Sequence, residues 1–158
     1  MARFERDDDS MLPSPVDIDD DIEPVLRDRI SAKRLKHSVA VASLAEALAI
    51  RHGLDADGAR RAGLLHDLWR EEGHACIPEA ERRGLALPDW ADGNPVMLHG
   101  PLAGAEAAER FGLGSAWCNA IAVHTTGRNG MTAEDLVIYR SEEHTSELQS
   151  PYVISYAV

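Results

Sequence analysis

The stretch from Ser38 to Ile50 limits the fold more than any other feature of the chain. Its only polar residues are Ser38, Ser43 and Glu46, and the rest are Ala, Val, Leu and Ile. Such a run is too short to span a bilayer. Its Ala and Leu favour a helix that other elements must cover on most sides. Ser31 is placed to cap this helix, which is expected to run to about Arg51 and stop at Gly53. A second helix is expected over 56–72, capped by Asp55. A third is expected over 98–111, closed by Gly112, and a fourth from a Ser115 cap to Val123 or His124. A fifth is expected over 133–139, capped by Thr132, with shorter helices over 23–30 and 79–83. Aromatic residues make up only 5% of the chain, and no segment alternates as a strand would. The expected fold class is therefore all-α.

The formal net charge of -11 argues against nucleic acid as a main partner but not against a small phosphorylated substrate. Cys76 and Cys118 have no ligand spacing and read as free thiols of a reducing cytosol. The charged opening segment has no apolar core of a signal peptide, so a cytoplasmic location without membrane attachment is expected. Residues 1–22 read as an acidic, disordered tail. Arg60, Arg61, Arg70, Glu71 and Glu72 read as a solvated face, and His52 and His74 as surface residues. Trp69, Trp90 and Trp117 read as packing residues.

Four histidine positions lie on or at the end of apolar helices: His37, the His66–Asp67 pair, His99 and His124. Imidazole and carboxylate together suit a divalent transition metal. Such a metal polarises a phosphoryl oxygen and makes water a nucleophile near neutral pH. Fixed helices around it would supply the positioning that phosphoryl transfer needs.

The run SAKRLKHSVAVASLAEALAIRHGLDADGARRAGLLHD resembles the opening of the HD superfamily of metallophosphohydrolases. With MLHGPLAGAEAAERFG and AIAVHTTGRNGMT it resembles the narrower YqeK-like family, the symmetrical bis(5'-nucleosyl)-tetraphosphatases. The likeness covers residues 31–139 and implies an HD-domain helical bundle. It implies that His37, His66 and Asp67 bind metal, iron first, with manganese or cobalt as alternatives, as one or two ions. Asp67, His99 and His124 would be the catalytic set. Arg34, His99, His124, Thr125, Thr126 and Gly127 would hold substrate phosphates. The implied reaction is hydrolysis of diadenosine tetraphosphate to two ADP. Another nucleotide substrate, or a nucleotide-binding HD domain without activity, is the alternative, and the oligomeric state stays open.

Residues 140–158, RSEEHTSELQSPYVISYAV, resemble the in-frame translation of a short-read sequencing adapter. They lack an apolar period, and Tyr139 is taken as the last genuine residue. On that reading the domain (23–139) is C-terminally truncated, and 140–158 is a non-native tail. The family expects one more ligand, an Asp shortly after the last Tyr, and Glu142 falls at that place.

Overall fold

The computed structural model describes residues 16–149, and among them every regular element is helical. The order is α1 (Glu23–Arg29), α2 (Ala32–Arg51), α3 (Ala56–Leu65), α4 (Cys76–Arg82), α5 (His99–Phe111), α6 (Ser115–Ala122) and α7 (Ala133–Gln149). The all-α expectation is met. Short 3-10 turns at Gly73–Ala75 and Pro95–Leu98 lead into α4 and α5.

The caps explain most of the boundaries. Ser31 Oγ accepts the Arg34 N–H at 3.2 Å, and an Asp55 carboxylate oxygen accepts the Gly58 N–H at 3.1 Å. Thr132 and Asp135 cap reciprocally, each side chain accepting the other's backbone N–H. Gly112 closes α5 in the left-handed region at φ 61. The expected Ser115 cap is not formed: Gly114 holds that position, and Ser115 is already helical.

α2 is the central rod, with α3 and α7 packed along it; α6 packs against α3, α5 and α7. Two crossings are close enough to need glycine. A Cβ at Gly63 would lie 2.5 Å from Ala42 Cα, and one at Gly104 would lie 2.6 Å from the Cys118 carbonyl oxygen. Glycine thus lets α3 lie on α2, and α5 on α6, backbone to backbone. Ile22, Leu26, Leu64, Leu65, Leu68, Leu102, Ile121 and Ile138 are fully buried. Burying each of these stabilises the fold by about 1.5–3 kcal/mol.

Four expectations need correction. The second helix ends at Leu65 rather than at 72. The Gly63 carbonyl, which a continuing helix would offer to the Asp67 N–H, instead accepts Nδ1–H of His66 at 2.6 Å. The segment then proceeds through tight turns such as Arg70 N–H to Asp67 O. The acidic tail is not wholly unstructured. Residues 1–15 lie outside the described residues, but Ile22 is fully buried and the Val16 N–H reaches Ser43 Oγ at 3.2 Å. The Arg60 and Arg61 face is not simply solvated, because both guanidinium groups pair with Asp19. Finally, α7 continues through the Ser/Glu/Thr-rich stretch to Gln149, with Ile138, Ser141 and Thr145 buried. Small polar side chains let that face approach α2 without an apolar period.

Trp69 and Trp117 are packing residues as expected, whereas Trp90 is 44% exposed. Cys76 and Cys118 are buried free thiols, and His52 and His74 are exposed. No described helix is long and apolar enough to cross a membrane.

Candidate metal centre

His37 comes from α2, His66 and Asp67 from the end of α3, His99 from the first turn of α5, and His124 from just beyond α6. These five residues converge around the Asp67 carboxylate. Oδ2 lies 3.6 Å from His37 Nε2 and 3.3 Å from His66 Nε2. Oδ1 lies 3.3 Å from His99 Nε2 and 3.6 Å from His124 Nε2. Each oxygen therefore serves a separate pair of imidazoles.

The rings are aimed by a repeated device. Nδ1 of His66, His99 and His124 lies 2.6 Å from the carbonyl three residues earlier, of Gly63, Val96 and Ile121. A carbonyl can only accept, so each Nδ1 carries a proton and each Nε2 lone pair is left facing the centre. His99 Nε2 and His124 Nε2 then face each other at 3.0 Å. Two nitrogen lone pairs at that separation call for a cation.

Glu142 completes the other side. Its Oε2 lies 2.8 Å from Nε2 of both His37 and His66. Two clusters have the donor spacing of a metal site: His37, His66, Asp67 and Glu142, and Asp67, His99 and His124, with donor atoms within 4.8 Å of one another in each. Nitrogen and carboxylate donors at this spacing fit a divalent transition metal, one ion or two.

Without a cation these groups hold one another: His66 is protonated, its second proton standing where a cation would bind, and the carboxylates beside it are ionised. Burial works to raise the Asp67 pKa, but the His66 charge and the close approach of His124, His66 and His99 override it and hold it well below the carboxylate range. Glu142 behaves alike: burial opposes ionisation, and His37 and His66 outweigh it. For His66, burial favours the neutral ring, yet Asp67 and Glu142 raise its pKa well above the usual value. For His124, burial and the charges of His66 and His99 lower it despite Asp67.

Of the expected phosphate contacts, Arg34 is at the centre, its Nη1 3.1 Å from Asp67 Oδ2. Thr125, Thr126 and Gly127 follow His124 in sequence, and the two threonines are exposed. The Gly127 N–H is not free for phosphate, because it donates to the Val123 carbonyl at 2.8 Å. The Thr126 hydroxyl donates to the Gly127 carbonyl at 3.1 Å, whereas the Thr125 hydroxyl has no protein partner among the described residues. Thr126 and Gly127 line a cleft of about 1240 Å³ with Leu48, Arg128, Leu136 and Tyr139. None of the five converging residues lines it, so this cleft lies beside the chemistry rather than over it.

Two residues were not assigned to the site from sequence. Glu142 was noted only by its position after Tyr139. Arg128 has its Nε and Nη2 held at 2.9 and 2.8 Å by buried Asp135, which ties the 125–131 loop to α7; an Arg in a turn with an Asp seven residues later carries no local signal for this.

A family model described as HD domain matches residues 34–153. Ribonuclease Y of Thermoanaerobacter pseudethanolicus is 33% identical over 108 residues, 68% of this chain and 17% of that protein. The bis(5'-nucleosyl)-tetraphosphatase, symmetrical, of Staphylococcus aureus is 29% identical over 114 residues, 72% of this chain and 59% of that protein. The chain thus spans less than two thirds of either relative. A crystal structure from Clostridium acetobutylicum, described as a predicted HD superfamily hydrolase involved in NAD metabolism, superposes with a TM-score of 0.78. It is 30% identical, over 86% of this chain and 73% of that one.

Proposed function

This chain belongs to the HD domain family, and from that premise we propose that it is a divalent-metal-dependent phosphohydrolase acting on a nucleotide, with symmetrical cleavage of diadenosine tetraphosphate to two ADP as its reaction. One observation carries the reading. Asp67 divides its two oxygens between two imidazole pairs, and three of those rings are tied at Nδ1 so that Nε2 faces inward. His37, His66, Asp67 and Glu142 would hold one cation, and Asp67, His99 and His124 the substrate side or a second. Held there, a metal supplies a Lewis acid and lowers the pKa of water.

The remaining work falls to the chain. Asp67 stays ionised and acts as an acceptor that orients the attacking water. That water adds to one of the two central phosphorus atoms, the central P–O–P anhydride bond breaks, the leaving ADP carries the electron pair away, and the proton lost by the water passes to solvent. His99 and His124 offset the charge that grows on the phosphoryl oxygens. Arg34, anchored on Asp67, and the hydroxyls of Thr125 and Thr126 position the phosphates.

Support for the tetraphosphate comes from the Staphylococcus aureus relative. The equally similar ribonuclease Y makes an RNA phosphodiester the reading to beat, and the acidic net charge opposes it. The decisive assay loads the protein with iron, manganese or cobalt and offers diadenosine tetraphosphate, AMP and a short RNA separately. Two ADP per tetraphosphate is the expected product. Cleavage to ATP and AMP, or turnover of RNA alone, would overturn the proposal. Residues 140–158 are part of the same proposal: we read them as non-native, with Glu142 standing where the family has an Asp.

A further inference from the structure

The centre is closed on nearly every side. The side chains of His37, His66, Asp67, His99 and His124 are at most 6% exposed, while Glu142 is 24% and Arg34 29% exposed. Of the site's side chains, Arg34 and Glu142 are the ones that reach solvent, and Arg34 lies in the first turn of α2.

This short segment also holds both lysines of the chain, Lys33 and Lys36, in a sequence of net charge -11. Lys33 and Arg34 precede His37 by four and three residues. They therefore share its helix face, one turn nearer the helix start. Lys36 lies about 100° round the helix from His37. Both lysines are exposed, and neither pairs with a carboxylate among the described residues. Arg27, Arg60, Arg61, Arg82 and Arg83 pair with acidic neighbours, whereas Arg51 and Arg110 are, like the lysines, exposed and without a carboxylate partner among the described residues. The nearby carboxylate of Glu71 is turned onto the Ser31 N–H and hydroxyl, at 2.9 and 2.6 Å. Lys33, Arg34 and Lys36 thus gather three cations within about one helical turn beside the centre.

We infer that Lys33 and Lys36 form, with Arg34, an outer anion subsite for phosphates beyond the one being cleaved, selecting substrates that carry a chain of several phosphates over those with one. This deepens the proposed phosphohydrolase reading and rests on it for its purpose. The binding it requires can be measured without turnover.

The probes are inorganic tripolyphosphate and inorganic orthophosphate, titrated calorimetrically into the metal-loaded protein. The variants are Lys33→Ala/Lys36→Ala and, as a control, Arg110→Ala, which removes an exposed, carboxylate-free arginine from α5. Tripolyphosphate is expected to bind the double variant about tenfold more weakly, as two solvent-screened charge contacts imply. Orthophosphate should change by less than about twofold, and the difference should shrink in high salt. Arg110→Ala should leave both probes alone. Unchanged tripolyphosphate binding in the double variant overturns the inference, as does an equal loss in Arg110→Ala, which would make net charge the cause. With diadenosine tetraphosphate the double variant should raise KM and leave kcat unaltered. If no nucleotide is hydrolysed but the lysines still discriminate the two probes, the catalytic proposal fails and the subsite stands.

Discussion

The two halves of the centre meet at Asp67 but are built differently. On one side His37, His66 and Glu142 come from three elements far apart in sequence, with a carboxylate 2.8 Å from each ring. On the other, His99 and His124 face each other at 3.0 Å, and their helices α5 and α6 are consecutive and pressed together at Gly100 and Gly104. The second half is a local, self-contained pair of imidazoles. The first depends on α7 reaching back to α2. The difference teaches that donor identity and donor support are separate matters: both halves have good ligands, but only one relies on α7.

The largest effect should come from the residue common to both halves. Asp67→Ala is expected to cut metal affinity by at least about 100-fold. Metal content after dialysis should fall to background in both halves while the far-ultraviolet circular dichroism stays helical. Retained stoichiometric metal would mean that the two imidazole pairs bind without their shared carboxylate.

The next test separates the halves. Glu142→Ala should weaken metal about tenfold to 100-fold, whereas replacing residues 140–158 by the matching stretch of the Staphylococcus aureus tetraphosphatase should raise turnover of diadenosine tetraphosphate at least about tenfold. Equal turnover in the original and replaced chains would show that the site is complete as it stands and that α7 needs no other sequence.

A smaller effect probes the close crossings. Gly63→Ala places a methyl group against the Ala42 backbone, which should cost about 1–3 kcal/mol and lower Tm. Because Gly63 also holds His66 through its carbonyl, this variant should loosen metal in the first half. Gly104→Ala should cost similar stability and disturb the second half instead. Identical metal loss in both would break the distinction between them.

The smallest effect is a titration of the metal-free protein. His66 has a raised pKa and His124 a lowered one. The stability gained from protonated His66 is complete below its unfolded pKa of about 6.5 and is lost as pH rises through its higher folded value. His124 acts oppositely. As pH falls below about 6.5 the unfolded chain takes up a proton that the folded ring resists, so stability declines on the acid side. Ring resonances observed by NMR should move at pH values on opposite sides of 6.5, and coincident midpoints would contradict the assignment.

Much of this centre was legible in the sequence because its ligands sit at helix ends that announce themselves. Ser31, Asp55 and Gly112 mark boundaries by short-range chemistry, and the apolar period of α2 and α5 places His37 and His99 toward the core. The end of α3 was not legible, since nothing in AGLLHDLWR reveals that the His66 ring will take the Gly63 carbonyl. Nor was the seating of residues 16–22, which depends on Asp19 meeting Arg60 and Arg61 some forty residues away. The continuation of α7 was missed because Ser141 and Thr145 bury a polar face that periodicity counts as exposed.

The ties from Nδ1 to a carbonyl three residues back have an evolutionary consequence. Every amino acid carries a carbonyl, so the partner's side chain is irrelevant to how the ring is aimed. Drift at Val96 or Ile121 can reshape the surrounding walls while leaving the imidazole bearings untouched. A scaffold that aims its ligands by main chain can change what it accepts without rebuilding how it reacts, and relatives with such different names as a ribonuclease and a nucleotide phosphatase are what such latitude would produce.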